Sequence, residues 1–527
     1  MIEPERWAKH SLGALSLSFL IFSTSAVAQA PRVGSVDFPT SGDPRAQVYF
    51  LRGVAELHSF WYEEALDNFK QAAAIDPEFM MAYWGQAMCY NHPVWQSQDT
   101  DAARTILQKI DETPALSARE KGYLNAVKAL YGVGDKHQRD LAYADAMARL
   151  HHDYPQDLEA ACFYALSLLG SIGPGENALK KRMEAGAIAL EVFAKNPDHP
   201  GAAHYIIHAF DDPDHAVLAL PAALRYSRIA PAAFHAVHMP SHIFVQLGMW
   251  PEAAASNESA WAVSGEWVER KHISTTFRDY HSLHWLTYVY LQQGRYARAA
   301  ELIASLKGTI QDGPEEPSPE MIHSLASMEA EYVVETRDWG KAVAFYGGDS
   351  ELSSFIRGLG QAELRRASGR KSAERSYAVT GSVPADPARS PKGEVMALEV
   401  GAVSKAAEGS YAVAFDLIKR AISIEDEKAT QSGPPDPIKP PRELLGEILL
   451  DAGCAKDAVD AFNAALVREP NRSLSLLGRA RALAQSGRTG EARATYQALL
   501  QVWGLADSDL PALQEAVRYV AAPSVAR

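Results

Sequence analysis

Seven histidines carry the chemistry that this sequence offers. His204 and His208 are four residues apart, His235, His238 and His242 are spaced three and then four, and His281 and His284 are three apart. Residues three or four apart on a helix lie one above the other, so each group projects from one side of its own helix. Ten of the seventeen histidines fall between His199 and His284, a density that neither a solvated face nor an apolar core explains. Imidazole is the commonest protein metal ligand and suits copper, zinc, iron and nickel. Two rings one turn apart, with Cβ atoms about 6 Å apart, can both reach roughly 2.0–2.1 Å from a single ion. Three helices so equipped predict a site for one or two transition-metal ions. Asp211, Asp212, Asp214 and Asp279 flank those helices and would complete or orient the ligand set. An open coordination position would support hydrolytic or oxidative chemistry. Two other readings stay open: a histidine-lined groove that takes a peptide or a small acidic ligand, and rings hydrogen-bonded between helices for stability alone.

Other motifs narrow the field. The chain has no phosphate-cradling glycine loop, nucleophile elbow, HExxH, CxxC or CxxCH, so phosphoryl transfer, hydride transfer and covalent haem have no local support. Ser241 beside His242 and Ser282 beside His281 are poor nucleophile–base pairs, because adjacent helical residues point about 100° apart. Trp84, Trp95, Trp250, Trp261, Tyr280 and Trp285 read as repeat packing rather than a stacking platform. Asn91-His92-Pro93 reads as a helix stop, with His92 available as a base or ligand. Glu425 and Asp426 are expected on a solvated helix end, and Asn257-Glu258-Ser259 fits a glycosylation sequon only formally.

The elements that would position these rings repeat with a period of 34. In RGVAELHSFWYEEALDNFKQAAAIDP the marked positions are Gly53, Ala65, Phe69, Ala72 and Pro77; GEILLDAGCAKDAVDAFNAALVREP repeats them as Gly446, Ala458, Phe462, Ala465 and Pro470, and Ala480, Ala492 and Tyr496 follow in register. Small residues suit a close helix crossing, a ring fills the gap behind, and proline opens the next unit where no amide donor is needed. This pattern resembles the tetratricopeptide repeat. It implies an all-α, right-handed superhelical solenoid of antiparallel helix pairs. Units are expected to begin near Ala46, Met80, Ser117, Leu158, Pro200, Phe234, Tyr280, His323, Ser353, Glu394, Lys439 and Ser473, with a capping helix from about Leu510 to Val520.

In this register His204 and His208 take places 5 and 9 of their unit, His235, His238 and His242 take 2, 5 and 9, and His281 and His284 take 2 and 5. The resemblance implies that these places face the concave groove, with His58 and His92 turned inward at place 13 of the first two units. The stretches MAYWGQAMCYNHPVW, AAHYIIHAFDDPDHA, HAVHMPSHIFVQLGMW, DYHSLHWLTYVYLQQGRY and PPRELLGEILL with EPNRS are similar to exported bacterial tetratricopeptide proteins of unsettled function. Partners implied by that architecture are a peptide, an envelope protein or a small-molecule ligand in the groove.

The sequence divides into residues 1–28 as a signal peptide, 29–45 as an N-terminal extension, 46–350 as a solenoid with the histidine-rich groove, 351–438 as irregular helical repeats with a proline-rich loop, and 439–527 as C-terminal repeats with the cap. Arg6 and Lys9 precede an apolar run from Leu12 to Phe22, and Ala26-Val27-Ala28 supplies the small residues of a cleavage site. Glu3 and Glu5 depart from the usual basic start. A periplasmic or secreted protein with no membrane span after cleavage is expected. Loops are expected at Asp312–Pro319 and Ser432–Pro441, where proline forbids continued helix. Cys89, Cys162 and Cys454 are too few for a disulfide framework. A net charge of −14 argues against a nucleic-acid partner, which needs basic patches.

Overall fold

The computed structural model describes residues 32–111, 116–173, 178–313, 316–345, 350–368, 389–427 and 432–522. The targeting segment expected over residues 1–28 lies outside them. Among the described residues the regular structure is helical, apart from one antiparallel bridge between Asn91–His92 and Ser97–Gln98. No helix there is long and apolar enough to cross a membrane.

The small–ring–small pattern explains how the pairs stack. Helix Pro44–His58 packs against Tyr62–Ile75, which packs against Met80–Met88. The Phe69 ring sits between the glycines of two successive units: a Cβ on Gly53 would stand 2.9 Å from it, and one on Gly85 only 2.4 Å. Phe462 repeats the arrangement between Gly446 and Gly478, at 2.7 and 2.2 Å. Both rings are fully buried, and each contributes roughly 1.5–3 kcal/mol by leaving water. The chain is thus a solenoid of helix pairs. Helices begin at Met80, Leu158, Pro200, Phe234, Tyr280 and Ser473, where the period places them, and the terminal helix runs Pro511–Ala521.

Three long-range features bend this solenoid round its own interior. Residues 32–43 form a strap across the first repeats: Phe38 is buried against Phe50, Trp84 and Tyr123, and the Ser35 amide donates to the Asp198 carbonyl at 3.0 Å. Helix Trp250–Lys271 touches the first pair through Trp267 Nε1, which donates to Glu64 at 2.8 Å. The C-terminal repeats fold back onto the middle of the chain, where Trp250 Nε1 donates to the Asn471 carbonyl at 2.9 Å and Trp503 Nε1 to that of Gln292 at 3.1 Å.

One expectation is extended and another corrected. The proline-rich loop does join helix Tyr411–Glu427 to Pro441–Asp451, but it also closes over the histidines. Gly433, at φ +85°, lies so near the Trp285 ring that a Cβ would stand 2.2 Å from it. Glu425 is not solvated: it is buried and paired with Arg442, while its neighbour Asp426 stays half-exposed in a pair with the same guanidinium.

Candidate metal centre

Three helical segments bring the rings together. Helix Pro200–Ala209 starts on a proline, with the His199 side chain capping the Ala202 amide. Gly201 lets this helix approach the first pair, since a Cβ there would meet the His58 ring at 2.4 Å. Helix Tyr280–Gln292 is capped by Asp279, which accepts from the Ser282 amide at 3.0 Å. Between them the expected single helix is broken. Phe234–His238 and Pro240–Gln246 are separate segments meeting at Met239, because proline has no amide to continue the ladder.

The imidazoles expected to serve one or two ions fall into two groups. His235, His238 and His242 do not share one site: His235 joins His204 and His208, whereas His238 and His242 join His281. Within each triad one ligand atom per residue lies within 4.8 Å of the other two. His284 stands apart, with Nε2 2.7 Å from Glu331 Oε1.

Hydrogen bonds behind the rings decide what faces inward. His204 Nδ1 lies 2.7 Å from the His58 carbonyl oxygen, which only accepts, so the proton is on Nδ1 and Nε2 offers a bare lone pair. His208 Nε2 and His235 Nε2 stand 3.0 and 3.2 Å from it. In the second triad His238 Nδ1 donates to Asn257 Oδ1 at 2.7 Å, and that amide is oriented by its own donation to the Ala253 carbonyl. His242 Nδ1 donates to Asp211 at 2.7 Å. Their Nε2 lone pairs therefore confront each other at 3.1 Å. Facing lone pairs repel, and a cation between them turns the repulsion into two bonds. Nitrogens each 2.0–2.1 Å from one ion stand roughly 3 Å apart, which is the spacing of His204 to His208 and His235 and of His238 to His242.

Burial favours the neutral form of five rings, His204, His208, His235, His238 and His281. It pushes His208 down to about 3 and holds His204, His235 and His238 well below the ordinary imidazole value, with neighbouring imidazoles adding to the shift. His281 opens on the cavity yet is lowered in the same way by the protein around it and by His238. Burial raises the Asp211 carboxyl, but the His242 ring and its hydrogen bond outweigh that and bring it below the usual range.

Both triads open on one cavity of about 850 Å³. His208, His235, His242 and His281 line it, while His204 and His238 are fully buried behind them. Aromatic rings form much of the remaining wall. Phe60 packs on His204, His208 and His235 with centroids 4.3, 5.7 and 5.6 Å away. Its φ of +55° is left-handed, a strain of about 1–3 kcal/mol for such a residue. Trp285 packs on His242 at 4.3 Å, and Trp95, 54% exposed on the Asn91–Gln98 hairpin, lies 5.6 Å from His235. Trp95 and Trp285 are thus cavity walls and not merely repeat packing.

His58 does not join the triads through its ring. His58 Nε2 and His199 Nε2 bind the two oxygens of Glu159 at 2.7 and 3.1 Å, all fully buried, and the Tyr205 hydroxyl lies 2.8 Å from His58 Nδ1. Every ring nitrogen of that cluster has a partner of the right kind, so it reads as structure that anchors the His58 carbonyl behind His204. His92 stacks on Tyr62 at 4.0 Å along the cavity wall. Of the flanking acids, Asp211 orients a ring, whereas Asp212 is taken by Arg182 and His215. Asn257 was missed by sequence reasoning: it stood out only as part of a formal sequon, and it is fully buried against His238. No local signal exposes it, because its partner lies nineteen residues away on another helix.

Fold and site together define a helical-repeat solenoid with a histidine-lined interior. No protein-family profile matches the sequence, and no curated protein matches it. Among solved structures the chain is similar to the human IFIT1 dimer with m7Gppp-AAAA, at 14% identity over 92% of each chain and a TM-score of 0.32. It is also similar to yeast Tom70, at 10% identity over 90% of this chain and 88% of that one (TM-score 0.27), and to the P58(IPK) TPR domain, at 13% over 90% and 98% (TM-score 0.21). At these identities and scores the likenesses carry no argument about ligand or partner; the helix-pair architecture stands on the elements described above.

Proposed function

We propose that this chain is a helical-repeat scaffold whose interior cavity holds a transition metal through His204, His208, His235, His238, His242 and His281. Copper and zinc fit the imidazole set best, with iron and nickel as further candidates. The observation that carries the reading is the 3.1 Å approach of His238 and His242 Nε2 while both Nδ1 protons are committed to Asn257 and Asp211. A purely structural cluster would pair donors with an acceptor, as the Glu159 carboxylate does by accepting from both His58 and His199.

Elemental analysis and metal titration of protein purified without a histidine tag test it. Tight, stoichiometric binding that disappears in the His238→Ala/His242→Ala double variant is expected; a wild-type protein that takes up none of the four metals rules the reading out. Asp211→Asn should keep the fold and lower metal affinity about 10–100-fold, the usual effect of losing a ligand's outer partner. Unchanged affinity in that variant would assign Asp211 to packing alone.

A second reading is supported by the repeat architecture and by the exposed Trp95 at the cavity mouth: a non-catalytic scaffold for a peptide or an envelope protein. Export to the periplasm or beyond, argued from residues 1–28, suits either reading. Partner capture that survives the His238→Ala/His242→Ala change, in a protein without metal, would favour the scaffold.

A further inference from the structure

We propose that the two triads work as one dinuclear centre, a pair of copper ions each held by three imidazoles and joined by a small bridging anion admitted from the cavity. This deepens the metal reading above and rests on it.

Adjacency is the first support. The triads abut along two edges, His208 against His242 and His235 against His238, with ring centroids 6.2 Å apart in both cases. Ions seated among the Nε2 atoms of rings so close lie on the scale at which one small anion spans two metals, about 3.5–4 Å in paired sites. A shared opening is the second. Each triad turns two rings to the cavity and hides its third member or shows it least, so both fourth coordination positions face the same space.

The donor set points to copper. Neither triad contains a carboxylate or thiolate: Asp211 stands behind His242 at Nδ1, Glu331 is held by His284, and Cys162 lies near His199. Imidazole-only sites suit copper, which also tops the affinity order of the divalent first-row metals. Charge calls for the bridge. Among the described residues the Asp211 carboxylate is the one hydrogen-bonded to a ring of the two triads, and uncompensated buried charge from two divalent ions is costly. A small anion between the ions lowers that cost.

Full chain purified without a tag is loaded with Cu(II), and copper content and electron paramagnetic resonance are measured with and without azide as the bridging probe. Two copper ions per chain are expected, with the spin signal under azide falling to roughly a tenth of the copper content or less as the pair couples. His208→Gln and His281→Gln, on the cavity-facing side of each triad, should each drop the content to one ion and restore one full spin per chain. Circular dichroism confirms that both variants are folded. A wild-type content of one copper, two uncoupled spins, or uptake of zinc with refusal of copper overturns the pairing while leaving the metal scaffold standing. Uptake of no metal at all overturns the metal reading itself.

Discussion

Replacing His208 and His235 together by Gln is expected to flatten the pH dependence of the metal-free protein's stability by about 3 kcal/mol per pH unit between roughly pH 4 and pH 6. Burial lowers both rings in the fold, His208 to about 3 and His235 well below its ordinary value, while in the unfolded chain they take protons near pH 6.5. Below that pH the unfolded state binds more protons than the native state, so stability falls as pH falls, by about 1.4 kcal/mol per ring and per pH unit. Buried acids pull the other way, among them Glu56, which burial raises to about 7, and Glu469, raised to about 8. The difference between wild type and variant isolates the histidine contribution from theirs. Urea unfolding over a pH series supplies it. Metal at a thousandfold excess over its dissociation constant adds about 4 kcal/mol per site, which should move the acid midpoint of the wild type down further than that of the variant, whose His238–His242–His281 triad is intact. Parallel pH curves for the two proteins would mean that the rings take protons inside the fold and that the facing lone pairs are relieved without metal.

Arg472→Ala should cost about 3–5 kcal/mol of stability, the usual penalty for removing one partner of a buried ion pair. The guanidinium is fully buried. It donates to Glu443 at 2.8 Å, to the Tyr288 hydroxyl at 3.0 Å and to Glu335 at 2.5 Å, so one side chain ties the C-terminal repeats to helices Tyr280–Gln292 and Pro319–Thr336. Burial raises the Glu443 carboxyl, but Arg472 and Lys439 outweigh that and hold it below the usual range. Without the guanidinium Glu335 and Glu443 would share a low-dielectric space with Lys439 as their remaining cation. Arg472→Lys keeps the charge and loses the forked geometry, so it should fall between wild type and Ala. Chemical denaturation measures all three. A loss below about 1 kcal/mol for Ala, the range of a solvated surface pair, would show that water reaches the cluster and that the repeats are held by apolar packing instead.

These two networks show why parts of the molecule were readable in advance. Gly53 and Phe69, repeated as Gly446 and Phe462, announce a helix crossing because a missing Cβ and a filling ring are local partners of fixed spacing, and the structure adds Gly85 and Gly478 on the other side of each ring. The same register predicts where His204, His208 and His281 leave their helices. Arg472 and Glu443 stood out only as part of PPRELLGEILL and EPNRS; their meeting depends on the fold-back of the last repeats.

What the residues alone determined is the set of elements and the side of each helix that carries imidazole, since both follow from a 3.6-residue period within one segment. Which nitrogens converge was decided by tertiary structure. Pro240 breaks the helix that spacing would have kept whole, and its histidines divide, His235 meeting one triad and His238 and His242 the other. Asn257, Asp211 and the His58 carbonyl then set the tautomers from separate segments, and the Ser432–Ile438 loop closes the cavity from nearly two hundred residues away. Such placements sum many small rotations between stacked helix pairs, and no local spacing records that sum.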